Sequence, residues 1–212
     1  MKTNIIAHNI ILSYKDIFGK QLTHLKLQKL LYYSYAWSLV NGESFSKNAF
    51  EKWKHGPVNS EVYQEFKQFG ELEIPTINIS YTNIDKGLAE IVYFIVANYG
   101  KFSALTLSAM THQDDPWKNS KAGIISDKSI KKFYSSLNFA KNFPINIKNP
   151  FYPVETDNHY SFILDFSHKS KIKPFAYNSY FDYLKLEIES KKVLNKLLNA
   201  WEINQFSDTL SR

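Results

Sequence analysis

The chain contains no cysteine. That removes disulfides, thiolate nucleophiles and Cys-based zinc sites together. Its only arginine is Arg212, although Lys and Arg total 26. The planar fork that reads guanine or grips phosphate is therefore almost missing, and the positive charge sits on the point-like ammonium of lysine. No run approaches the roughly 20 continuous apolar residues of a bilayer-spanning helix. The segment Met1–His8 carries a charge but no apolar stretch ending at a small-residue cleavage site, so no secretory signal is expected and a cytoplasmic location is. Catalytic signatures are absent as well. There is no His-Glu-x-x-His run, no Gly-x-Ser-x-Gly elbow, and a single glycine where a phosphate cradle would need several. No catalytic residue, metal site or cofactor is assigned.

What the chain does have is aromatic mass. Phe 16 and Tyr 14 in 212 residues are ample for a packed core. The net charge of +6 is uneven. The excess lies in the C-terminal part, on Lys128, Lys131, Lys132, Lys141, Lys148, Lys169, Lys171 and Lys173. A solvated basic face is the first reading of such a distribution, an acidic partner the second and nucleic acid the third.

Apolar periodicity predicts a helix over 4–17 (Ile6, Ile10, Tyr14, Ile17), stopped by Gly19. Thr23 caps a second helix running to Val40, apolar on most sides and therefore central. Asn41-Gly42 closes it. Phe45–Lys54 reads as extended or irregular, broken at Gly56-Pro57. Asn59 or Ser60 caps a short helix ending at Gly70. Residues 72–82 alternate like an edge segment. Asp85 opens a helix to Tyr99, Ser103 another to about His112, and Asp115 with Pro116 a third. Beyond Gly123, a helix is expected over 127–139, a strand over 159–166 with 144–148 as its partner, and a final helix from about Ser179 to Trp201. The expected architecture is mainly α (α+β): a compact helical domain with a small β element over 1–124, and an α/β C-terminal extension over 125–212 packed on it.

Two histidines sit in tight motifs. His112, with Asp114 and Asp115, has the residue types of a metal site, but aspartates at a helix start serve first as caps and dipole partners. His55 precedes Gly56-Pro57-Val58, where glycine supplies unusual dihedrals and proline rigidifies the step into the next helix. Trp53 and Tyr63 either pack around that turn or, with His55, rim a recognition surface, since aromatics dominate interface energetics. Phe143, Phe151, Tyr152, Phe175, Tyr177 and Tyr180 stand in a loop-like context, where they either extend the core, which is the first reading, or are presented to a partner.

Four runs in order carry a family resemblance: Thr23 with Lys26-Leu27-Gln28-Lys29-Leu30-Leu31-Tyr32-Tyr33; Phe50–Trp53 with Gly56-Pro57-Val58 and Val62-Tyr63; Tyr99-Gly100 with Ser103 and Leu107; and Thr111-His112 through Pro116-Trp117. Over roughly 5–122 the chain resembles the Panacea, or SocA-like, domain of antitoxins and phage-associated proteins. The resemblance implies a non-enzymatic, mainly helical domain that neutralises a cognate protein toxin by binding it. The family's toxins prominently include small alarmone-synthetase-like enzymes that block translation. One branch of the family is a proteolytic adaptor, which is the alternative. A nucleic-acid-binding regulator is a further one, disfavoured by the lack of arginine. A hydrolase using His55 or His112 ranks last. Lys26, Leu27, Gln28, Lys29, Leu30, Tyr33, Gly56, Pro57, Val58, Thr111 and Pro116 are expected to build the scaffold. Trp53, His55, Tyr63, His112, Trp117, Phe151 and Tyr152 are the expected partner-binding residues. Homo-oligomerisation within the complex stays open, and no membrane partner is expected.

Overall fold

A computed structural model describes residues 3–46, 50–120, 123–146, 148–154 and 176–210. Helix α2 (His24–Val40) is the centre of the molecule's first unit, residues 1–145. Every residue from Leu27 to Leu39 is buried, including Gln28 and Lys29. A helix apolar on nearly all sides must be surrounded, and α1 (Thr3–Phe18), α4 (Lys86–Tyr99), α5 (Ala104–Gln113) and α7 (Asp127–Tyr134) pack around it. Ile6, Ile10 and Tyr14 line the inward face of α1.

Local chemistry sets the helix starts. The Thr23 hydroxyl accepts the Lys26 N–H, the Asp85 carboxylate those of Gly87 and Leu88, and Ser103 that of Thr106. Asn59 accepts the Val62 N–H and so opens α3 (Ser60–Phe66), which tightens into a 3-10 turn, Lys67–Phe69, before Gly70. Gly42 ends the turn after α2 at φ +89°.

The β element is a three-stranded antiparallel sheet in the order β2-β1-β3: β1 (Phe50–Trp53), β2 (Gly56–Val58) and β3 (Ile124–Ile125). Glu51 pairs with Val58 and Ile124, and Trp53 with Gly56. Gly56-Pro57 therefore lies in a strand, and the reversal falls one step earlier, at Lys54-His55. Alternation puts Phe50, Lys52, Pro57 and Ile125 on one face and Glu51, Trp53, Val58 and Ile124 on the other.

Several expectations shift. Residues 72–82 form no strand; one bridge, Thr23 with Glu73, is all that joins them to other structure as sheet. Helix α7 ends at Tyr134, and a 3-10 turn, Asn138–Asn142, follows a break. The first unit reaches Ile145 rather than 124, because Tyr134 and Phe139 complete the aromatic core against Trp37, with ring centroids at 5.1 and 4.8 Å. The second unit, 146–212, holds α8 (Tyr180–Leu210), longer than expected, and an antiparallel bridge between Phe151 and Tyr177. The strand expected over 159–166, and Phe175, lie outside the described residues. No described helix is long and apolar enough to cross a membrane.

Candidate functional site: a clamped β-hairpin

The two polar residues inside the Lys26–Tyr33 run hold the hairpin. Gln28 Oε1 accepts the Asn59 N–H at 2.9 Å, and its Nε2 donates to the Asn59 carbonyl at 3.4 Å. One side chain thus supplies the donor and acceptor that a neighbouring strand would have given. Lys29, 0% exposed, donates from Nζ to the Pro57 carbonyl at 2.8 Å. Burial pushes its amine down to about 7. Gly56 sits at φ +97°, and a Cβ there would lie 2.6 Å from Thr111 Oγ1 and 2.8 Å from Lys29 Nζ. Glycine is required here for both its dihedral and its missing side chain.

Helix α5 grips the same hairpin from the other end. Ser108 Oγ donates to the His55 carbonyl at 2.9 Å, and His112 Nε2 lies 3.1 Å from the Lys54 carbonyl, which makes it the protonated nitrogen. Burial lowers the His112 pKa. Its ring meets Trp117 edge-on at 4.1 Å. Lys52 lies over the Trp117 ring at 4.5 Å and donates to the Lys118 and Ser120 carbonyls. His112 is therefore occupied as a clamp, tying its proton to a backbone carbonyl.

The opposite face of β1 is built differently. The Trp53 ring lies 4.7 Å from Tyr63, which in turn packs on His24 at 5.0 Å. Trp53 Nε1 donates to Glu51 Oε2 at 2.8 Å, so the indole is held on both sides. Ile124, directly across from Glu51, is 59% exposed. Lys54 and His55 project into solvent from the tip. The structure thus brings Trp53 and Tyr63 together on one side of the hairpin, packs His112 with Trp117 on the other, and leaves His55 exposed at the tip.

Phe151 and Tyr152 belong to the second unit. Phe151 is 2% exposed, between Tyr180 at 4.9 Å and Tyr183 at 4.8 Å, so the presentation to a partner expected from its loop-like context is not found. Three aromatic rings closing on one another account for this burial. Tyr152 is half-buried.

The Asp-Asp-Pro run also differs from expectation. Asp114, not Asp115, occupies the cap position of α6 (Asp115–Lys118), and its side chain makes no cap hydrogen bond. It accepts instead from the Tyr134 hydroxyl at 2.6 Å. Burial raises the Asp114 carboxyl to about 6. Tyr134 packs edge-on against Tyr32 and Tyr33, and among the described residues the buried Tyr33 hydroxyl has no hydrogen-bond partner. Asn59, Ser108 and Ile124 were not picked out by the sequence as parts of the site. Asn59 had a local signal, as a helix cap. Ser108 and Ile124 are defined by contacts 53 and 73 residues distant in sequence, which no local pattern carries. Among the described residues no group of His, Asp and Glu side chains could hold a metal ion.

Residues 27–118, which include both clamps and the hairpin, match the family model described as "Antitoxin SocA-like, Panacea domain". Antitoxin SocA of Caulobacter vibrioides is 29% identical over 122 residues, covering 51% of this chain and 65% of that protein. The match thus spans less than two thirds of the relative's length. No solved structure matches the chain. Both comparisons agree with the resemblance carried by the motifs.

Proposed function

We propose that this chain, which carries the SocA-like Panacea domain over residues 27–118, is an antitoxin that neutralises a cognate protein toxin by direct, non-catalytic binding. The observation that supports it is how the motif is spent. Gln28, Lys29, Ser108 and His112 direct their polar atoms at the backbone of residues 54–59. The outcome is a hairpin fixed at both ends, with Lys54 and His55 at the tip and Trp53 beside them. A surface held rigid before binding loses little entropy when it docks. Trp53 is the candidate hot spot, since it is a half-buried indole with Tyr63 behind it. The toxin meets this surface in the cytoplasm, and a small alarmone-synthetase-like enzyme is the first toxin class to try.

The trial is co-expression with the product of the neighbouring reading frame. That product should arrest growth alone and be tolerated with this chain. Trp53→Ala with His55→Ala should abolish rescue while keeping a folded circular dichroism spectrum at a lowered melting temperature, and His55→Ala alone, at the exposed tip, should weaken rescue with the melting temperature near wild type. If no neighbouring product is toxic alone and rescued by this chain, the antitoxin reading fails. If rescue coincides with a shortened toxin lifetime, the chain acts as a proteolytic adaptor.

A further inference from the structure

We propose that the β3–α7 edge of the first unit is a docking face for a carboxylate-rich protein surface, with Ile124 as its apolar anchor. The proposal rests on the reading above for the partner's being a protein, and it names the chemistry by which that partner is recognised.

Helix α7 turns Ile130 and Tyr134 inward, at 0% and 1% exposure. A turn of 100° per residue then gathers Lys128, Lys131 and Lys132 on the opposite side, and all three are exposed. None has a carboxylate within ion-pair distance among the described residues. Asp127, the helix's one acid, interacts with the Tyr35 hydroxyl, so it does not neutralise the lysine face. Like charges at positions i and i+4, as in Lys128 and Lys132, disfavour the isolated helix slightly. Lys131 and Lys132 gain a little from the dipole of the helix's last turn, but no carboxylate pairs with the face, and a negative partner would supply that.

The edge is not charge alone. In β3 the pleat buries Ile125 completely and leaves Ile124 59% exposed, four residues before Lys128. Ile124 shares its sheet face with Glu51 and Trp53, so the apolar anchor continues into the Trp53 face of the hairpin. An apolar side chain in the strand that leads into a helix face of unpaired lysines fits a protein surface that offers carboxylates beside a hydrophobic pocket. It fits a phosphate backbone poorly, because Ile124 would bury no apolar partner there, and the segment 123–134 contains no arginine.

The probe is a labelled amphipathic peptide with Glu on one face and Leu on the other. Its binding to the full chain is read by fluorescence anisotropy at low and high salt beside a labelled DNA duplex. Wild type should bind the peptide, more weakly as salt rises, and prefer it to the duplex. Lys128→Glu/Lys131→Glu/Lys132→Glu and, separately, Ile124→Asp should each weaken peptide binding about tenfold or more. Lys185→Glu/Lys191→Glu/Lys192→Glu on α8 should bind like wild type. Absence of peptide binding, indifference to the α7 and Ile124 variants, equal loss with the α8 variant, or tighter binding of the duplex would each overturn the proposal. Toxin rescue separates the two readings. A wild-type chain that rescues, together with an α7 variant that rescues equally, removes this face and leaves the antitoxin standing. A wild-type chain that rescues nothing removes the antitoxin instead.

Discussion

Replacing Gly56 by Ala perturbs the hairpin clamp at its tightest point. Two costs add. A residue with a Cβ held at positive φ costs about 1–2 kcal/mol. Gly42 measures that cost alone, since its φ is +89° and nothing lies within 4 Å of a Cβ there. Gly56 has a similar φ, +97°, but its Cβ would meet Thr111 Oγ1 at 2.6 Å and Lys29 Nζ and Cε at 2.8 and 3.1 Å. Neither neighbour is free to retreat, because Thr111 Oγ1 donates to the Ser108 carbonyl and Lys29 Nζ to that of Pro57. Overpacking of this kind adds about 1–3 kcal/mol. If Lys29 yields, a buried carbonyl and amine lose their bond at a similar cost. We expect Gly56→Ala to lose about 2–5 kcal/mol and Gly42→Ala about 1–2 kcal/mol. Urea unfolding followed by far-UV circular dichroism reads both. Equal losses in the two variants, within about 0.5 kcal/mol, would refute the clamp as drawn here.

Further outcomes concern the two buried ionisable groups. Burial holds the Asp114 carboxyl at about 6, above its ordinary value of 3.8, so its favourable contribution is present at low pH and fades as pH rises through about 6. Asp114→Asn keeps an acceptor for the Tyr134 hydroxyl without the charge. It should be about 1–3 kcal/mol more stable than wild type at neutral pH and nearly equal to it below the ordinary carboxylate range. Thermal melts across pH test this, and an Asn variant less stable at neutral pH would contradict it. Lys29 has the opposite slope. Its folded value of about 7 lies below the ordinary 10.5, so the unfolded chain binds the extra proton and stability should rise from pH 7 to 9. Lys29→Met should flatten that rise and, by leaving the buried Pro57 carbonyl unpaired, be less stable than wild type at pH 9 by about 1–3 kcal/mol. A rise of unchanged slope in the variant would assign it to other groups.

How far the fold could be read in advance follows from the range of the forces involved. Thr23, Asn59, Asp85 and Ser103 cap their helices through hydrogen bonds to N–H groups two or three residues on, so a single stretch of sequence contains both partners. Helix α2 was legible because an all-round apolar helix has one destination. The hairpin was not. Its strands are short, and what fixes them are the Gln28 and Lys29 side chains, at separations of 31 and 28 residues. Asp114-Asp115-Pro116 carried an honest local signal that tertiary structure overrode, since the Tyr134 hydroxyl, 20 residues away, claims the Asp114 carboxylate. Phe151 misled for the same reason. Proline-flanked aromatic sequence looks open until Tyr180 and Tyr183 close on it.

The division of labour within the motif bears on how one scaffold can serve different partners. Gln28, Lys29, Gly56 and Thr111 face inward and meet one another or the hairpin backbone, so their chemistry is committed to geometry. The side chains of Lys54, His55, Ile124 and the α7 lysines face outward and take no part in that network, which holds Lys54 and His55 by their carbonyls alone. Surface substitutions away from packing and clamps usually change stability by less than about 0.5 kcal/mol, whereas buried ones cost several times more. The outward residues can therefore vary almost without limit from the fold's standpoint while the inward ones cannot. On the antitoxin reading proposed above, partner choice falls to outward side chains such as Lys54, His55 and Ile124 beside Trp53, displayed on a backbone that the motif holds still.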